Sequence, residues 1–287
     1  MTGSIQSKDN PLVKRIVKLK SSAKARREEG LFLIEGQRLC SDALQSGVAL
    51  DTVLYTDRFF SQKPEVVEAL SKKAGHRYEI SEDVAVRLTD TQTPQGIFCV
   101  CPVPEKSGMA TTIGNGGNYI ALEDVADPSN LGMILRTAEA LGLCGVIVSK
   151  GCCDIYSPKV LRGSMGAVFR LKCIEVASMI NFVRERVEAG QRVFAAVPDR
   201  DAASVLTVDF SGGSVILIGN EAEGLRPETI QAATLPVTIP MNGKAESLNA
   251  AAAATILMWQ AGLRSAPMPR EDEKKEKVNS ANGSFHE

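Results

Sequence analysis

The chain has 287 residues and a formal net charge of −1 at neutral pH, which is long enough for two domains with an ample core. No apolar run reaches the roughly eighteen residues of a membrane span, and the N-terminus (MTGSIQSKDNPLVK) lacks a signal-peptide core, so a soluble, cytoplasmic protein is expected. Seven cysteines without a CxxC pair, and His76 and His286 as the only histidines, argue against a metal site, a disulfide framework and a Ser-His-Asp triad.

Asn10-Pro11 is a turn signal, after which Leu12-Val13, Ile16-Val17 and Leu19 recur at helical spacing with cations between them. A strand over 31–36 (LFLIEG) follows, then a helix over Gln37–Gln45, a strand at Thr52–Tyr55, a helix around Pro64–Ala74, and strands near Tyr78–Ile80 and Ile97–Val100. These form a small α/β unit over residues 1–101. Residues 102–118, rich in Pro, Gly, Ser and Thr, read as a linker. From Tyr119 the alternation is regular. Strands are expected at 119–125, 145–149, 167–175, 192–197, 214–219 and 235–239, with helices at about 130–142, 178–189, 224–233 and 247–263. Near-continuous apolar strands such as VILIG indicate a mostly parallel sheet covered on both faces, in a second domain over 119–264. Residues 265–287 are polar, charged and Pro-containing and read as a disordered tail.

The near-neutral charge conceals a split. Residues 8–27 hold Lys8, Lys14, Arg15, Lys18, Lys20, Lys24, Arg26 and Arg27 against the single acid Asp9. Such a block is the electrostatic footprint of phosphate contacts, although a solvated helix face produces the same pattern. No GxGxxG follows the first strand of the second domain, and Gly243-Lys244 lacks the rest of a P-loop, which removes dinucleotide and nucleoside triphosphate chemistry.

Three segments place an apolar run directly before a polar loop that opens a helix: Tyr119–Met133, Val215–Leu225 and Leu235–Ala252. Strand ends feeding helix starts are where open α/β sheets bind ligands. The loops carry Asn130, Arg136, Glu221, Ser247 and Asn249. Singly, each has a structural reading: Asn130 and Ser247 as N-caps, Arg136 as a surface charge at the margin of a helix core stripe, and Glu221 as a helix-start acid. Gly219 and Gly224 permit close backbone approach.

Together, N-x-G-x-I-x-R at Asn130–Arg136, I-G-N-E-x-x-G-L at Ile218–Leu225 and I-P-M-x-G-x-x-x-S-L-N at Ile239–Asn249 resemble the three motifs of the SPOUT superfamily, specifically the SpoU (TrmH-like) RNA ribose methyltransferases. The stretch YSPKVLRGSMGAVFRL and the basic N-terminal half with FLIEGQRL are also similar to that family. The resemblance implies an L30e-like RNA substrate-binding domain followed by a SPOUT domain with a deep trefoil knot. It further implies homodimerisation and transfer of a methyl group from S-adenosylmethionine (SAM) to a ribose 2′-hydroxyl. By position, Gly219, Ile239 and Leu248 would contact SAM, with Asn220, Met241 and Ser247 as neighbours. Arg136 would stabilise the developing oxyanion, Asn130 and Asn249 would position the ribose or the arginine, and Glu221 and Ser247 would complete the polar network. Lys8, Lys14, Arg15, Lys18, Arg26 and Arg27 would grip the RNA. An N-terminal domain of this size resembles the ribosomal-RNA-modifying members, so 23S rRNA is favoured over tRNA. Methylation of a base, and an RNA-binding knotted protein without transfer activity, are the alternatives.

Overall fold

The computed structural model describes residues 2–104, 113–114 and 116–265. Much of the expected linker lies outside these residues, as does the expected tail beyond Ser265, including His286.

The first sheet holds β1 (Thr2–Ile5), β2 (Leu31–Glu35), β3 (Leu50–Thr56), β4 (Ala74–Ile80) and β5 (Ile97–Pro102) in the order β1-β4-β3-β5-β2. The β1, β4 and β3 strands are mutually parallel, while β5 runs antiparallel to both β3 and β2. Its helices are α1 (Pro11–Ser21), α2 (Ala23–Glu29), α3 (Gln37–Gln45), α4 (Asp57–Gln62), α5 (Pro64–Ser71) and α6 (Glu82–Leu88). Asn10 caps α1 by accepting the Leu12 N–H at 2.8 Å, and Pro11 occupies the first helical position, where its missing N–H costs nothing. Val13, Ile16 and Leu19 are then buried against Leu33, Leu54, Phe98 and the apolar side of α6. The opposite face carries α3 and α5, and Cys40, Cys99 and Cys101 are buried there as small apolar residues. Cys144, in contrast, is exposed.

The second sheet is parallel throughout. It contains β6 (Tyr119–Leu122), β7 (Gly145–Ser149), β8 (Cys173–Val176), β9 (Arg192–Ala196), β10 (Ala203–Ser204), β11 (Ser214–Ile218) and β12 (Leu235–Thr238), ordered β10-β12-β9-β11-β6-β7-β8. Every residue of β6, β7 and β11 is buried, as strands covered on both faces require. The helices are α7 (Pro128–Ala140), α8 (Pro158–Ser164), α9 (Met179–Glu188), α10 (Pro227–Ala232) and α11 (Ala250–Ser265).

Four sequence expectations shift. The strand expected over 167–175 is a 3₁₀ turn at Ala167–Phe169 followed by β8, because Met165 and Gly166 are both left-handed (φ 50° and 80°) and turn the chain away first. Helix α10 starts at Pro227 rather than at 224, since Gly224 has φ 72° and belongs to the preceding turn. Asn130 does not cap α7: Asp127 does, accepting the Ser129 N–H at 2.7 Å. Ser247 does not cap α11 either, because Asn249 accepts the N–H groups of Ala251 and Ala252 at 2.9 and 3.2 Å.

Helix α7 lies unusually close to α8. A Cβ on Gly132 would stand 3.0 Å from the Gly163 Cα and 3.1 Å from the Val160 carbonyl oxygen, both backbone atoms that cannot rotate aside. Gly132→Val should therefore force the helices apart and lower unfolding free energy by about 1–3 kcal/mol in a urea titration.

Candidate active site

Strands β6 and β11 are neighbours, with Leu122 paired to Ile218, so the chain leaves both at the same edge of the sheet. The two exits are fastened to each other. Glu123, almost fully buried, accepts the Thr229 hydroxyl at 2.7 Å and the Arg226 N–H at 3.0 Å, so that each of its buried oxygens has a hydrogen-bond partner. Asp124 (φ 57°) accepts the Ser149 hydroxyl at 2.7 Å and pairs with Arg226, and its carbonyl accepts the Asn220 side-chain amide at 2.8 Å. The exit from β11 is a tight turn in which Asn220 and Gly224 exchange both backbone hydrogen bonds, each 3.0 Å. The Asn220 side-chain oxygen accepts the Ala222 and Glu223 N–H groups inside it.

This turn presents Glu221 to the start of α7. Its carboxylate accepts the Ala126 and Asp127 N–H groups, both at 3.1 Å, and the Asn130 side-chain amide at 2.9 Å. Burial opposes ionisation of Glu221, but the hydrogen bonds from Asn130 and the backbone amides outweigh it and hold the carboxyl below its ordinary range. With its folded pKa depressed, the network is complete above the ordinary glutamate pKa and is lost as pH falls through the folded value. Asn130 turns its oxygen to the Asn249 side-chain amide at 3.0 Å, and Asn249 in turn caps α11. One line of hydrogen bonds thus joins the loops after β6, β11 and β12.

The predicted residues divide accordingly. Asn130, Glu221 and Asn249 come together, with Gly219 and Asn220 forming the turn that holds them. Ile239, Met241, Ser247 and Leu248 lie in the irregular segment between β12 and α11, whose backbone is not taken up in helix or strand; Ile239 packs on the core, while Ser247 and Leu248 are exposed. Arg136 stands apart. It is six residues beyond Asn130 on α7, about 9 Å along the axis. It is exposed beside a groove of about 330 Å³ lined by Thr137, Ala140, Leu141, Thr255, Ile256 and Trp259.

In the basic block, Lys8, Lys14, Arg15, Lys18 and Arg27 are exposed, several in weak surface ion pairs such as Lys14 with Asp9 at 2.9 Å. Arg26 is a correction: it is buried and bonded to Asp154 at 2.6 Å, so it cannot meet a phosphate. Glu123, Asp124 and Arg226 were not anticipated, although an acidic pair directly after an apolar strand is a signal for such an anchor. Among the described residues, no group of three or more His, Cys, Asp or Glu side chains could hold a metal ion.

The model of the SpoU rRNA Methylase family matches residues 117–259, and that of the MRM3-like substrate binding domain matches residues 10–99. The chain is 31% identical over 255 residues to the 23S rRNA (guanosine(2553)-2'-O)-methyltransferase RlmP of Bacillus subtilis, covering 89% of this chain and 97% of that protein. It belongs to the SpoU methylase family. The fold agrees with the AdoMet-bound rRNA methyltransferase of Sinorhizobium meliloti at a TM-score of 0.82 and 31% identity, over 93% of this chain and 99% of that one. The SpoU methyltransferase AviRb of Streptomyces viridochromogenes, in complex with AdoMet, gives 0.79 at 28% identity over 89% and 98%.

Within this SpoU methylase fold the turn after β11 demands a glycine. A Cβ on Gly219 would lie 2.1 Å from the Gly224 carbonyl carbon and 2.2 Å from the Leu225 nitrogen. Gly219→Ala should open the turn, release Glu221 and lower unfolding free energy by about 2 kcal/mol or more, measured by denaturant titration.

Proposed function

We propose that the protein is a SAM-dependent methyltransferase acting on a ribose 2′-hydroxyl of 23S rRNA, in the cytoplasm and as a homodimer. The observation that carries the reading is the Glu221–Asn130–Asn249 line of hydrogen bonds, which gathers the three motif loops at one edge of a parallel sheet. The substrate class follows the named activity of relatives such as RlmP, and free cysteines support a reducing compartment.

The loops fit SAM. The segment from Ile239 to Leu248 offers backbone donors and acceptors outside helix and strand, beside the apolar side chains of Ile239, Met241 and Leu248. With Gly219, Asn220 and Ser247 they would hold the cofactor, which brings no phosphates and so needs no glycine-rich cradle. When bound it supplies an electrophilic sulfonium methyl group. Asn130, its amide turned by Glu221 and Asn249, would orient the ribose for in-line attack. Ser247 would add a hydroxyl at the rim of the same loop. Arg136 would stabilise the charge that develops on the 2′-oxygen, a task its permanent positive charge suits better than proton abstraction.

The distance between Arg136 and Asn130 supports the dimer. Met133, Ile256 and Trp259 are 53%, 39% and 55% exposed on the face of α7 and α11 beside Arg136. A second copy seated on this apolar face would cover it and carry Arg136 to a site built across the interface. The trefoil knot, which the resemblance to the SpoU family implies, is part of the same reading.

Arg136→Ala should abolish methyl transfer to rRNA in a radiolabelled-SAM assay while calorimetric SAM affinity stays within about two-fold, as expected of a group acting only on the transition state. Wild-type turnover would contradict the assignment. Charge reversal of Lys14, Arg15 and Lys18 should weaken RNA binding and flatten the dependence of log K on log salt, by about 0.7–0.9 in slope for each phosphate no longer neutralised. An unchanged slope would place the RNA elsewhere.

A further inference from the structure

Arg26 is the one fully buried member of the basic block, with its side chain 6% exposed. Its Nε donates to Asp154 Oδ2 at 2.6 Å, and its Nη1 donates to the carbonyls of Leu19 and Lys20 at 2.6 and 3.1 Å. Those carbonyls belong to the last turn of α1, whose exposed face carries Lys14, Arg15 and Lys18. The guanidinium therefore bolts the C-terminal end of the proposed RNA-gripping helix to a carboxylate of the other domain. Asp154 is itself fixed, since its second oxygen accepts the Tyr156 N–H at 2.9 Å. Tyr156 stacks on Phe32 of β2 with ring centroids 4.6 Å apart.

The same short segment reaches the active site on its other side. The Cys153 N–H donates to the Val125 carbonyl at 3.0 Å, and the Cys152 thiol donates to the Leu122 carbonyl at 3.2 Å. Val125 immediately precedes Ala126 and Asp127, the residues whose amides hold Glu221. A chain of direct contacts runs from α1 through Arg26, Asp154 and Cys153 to the loop that orients Asn130. A second interdomain ion pair, Arg162 with Asp90 at 2.8 Å, is 37% and 42% exposed and too solvated to set an orientation. A buried, multiply bonded charge pair tolerates little displacement, because either partner left alone is a buried charge.

We propose that Arg26 and Asp154 are positioning residues for methyl transfer: they hold the RNA-gripping helix in register with the loops that align the ribose. The inference rests on the RNA methyltransferase reading above. An in-line transfer is sensitive to ångström-scale misplacement, so register between grip and reacting atoms governs turnover more than affinity.

The test uses full-length protein carrying Asp154→Asn, Arg26→Lys, or the double replacement Arg26→Met with Asp154→Leu, which removes both buried charges and so folds even if a single variant does not. With the exposed cations intact, RNA and SAM affinities should stay within about two-fold, whereas kcat at saturating rRNA should fall about ten-fold or more. Small-angle X-ray scattering should report a larger radius of gyration for Asp154→Asn, and Arg26→Lys, which keeps the positive charge, should lose less kcat than the double variant. A folded double variant with wild-type kcat and unchanged scattering would overturn the proposal, reducing the pair to core packing. Scattering needs neither RNA nor SAM. A wild-type protein inert toward RNA would therefore defeat the functional reading alone, and unchanged scattering in Asp154→Asn would defeat the interdomain clamp.

Discussion

The site depends on a single carboxylate shared among three donors. Glu221 accepts two backbone amides of the loop after β6 and the side-chain amide of Asn130. Those contacts close the turn after β11 onto the start of α7 and fix which end of the Asn130 amide faces Asn249. Because an ionised carboxylate can only accept, and Asn130 must then present its oxygen to the third loop, the polarity of the whole line is set at Glu221. Neutralising that one group would weaken its acceptor character and leave three loops with no common partner.

Close approach of backbones makes this geometry possible. Gly219 lets the turn fold onto Gly224 and Leu225, and Gly132 lets α7 settle against α8. The pairing of Glu123 with Thr229 and the Arg226 amide then anchors the same loops from beneath. The upper contacts orient polar groups and the lower ones deny them freedom, which is how a site made of irregular loops acquires the rigidity of the sheet below.

Much of this was legible in the sequence wherever the signal is local. Apolar runs of four to six residues mark β6, β7 and β11, whereas Asn130, Glu221 and Asn249, each with a structural reading when taken singly, are picked out only by the joint pattern of the three motifs. The choice of cap is not legible at two helices, where two polar residues compete within three positions. At α7 the deciding feature is Pro128, which takes the first helical position and leaves Asp127 outside as the cap. The short helices α2, α4 and α6 escaped because one or two turns give too little periodicity; only their caps, Ser22, Thr56 and Ser81, announce them. The burial of Arg26 had no local sign, since its partner Asp154 is 128 positions away. Within its own segment it reads like every other cation of the block.

Asn130 and Asn249 are 119 positions apart, and the strand pairing of β6 with β11 joins residues 96 positions apart. A ribosome making this chain from its N-terminus completes the basic helix and the first sheet long before it makes the residues that cap α11. Until then the loop after β6 does not have both its Glu221 and its Asn249 partner, so the polar line cannot form at any earlier stage. A chain cut short before Asn249 lacks the amide that the Asn130 oxygen accepts. The polar line is therefore closed only late in synthesis, after β12 has been made.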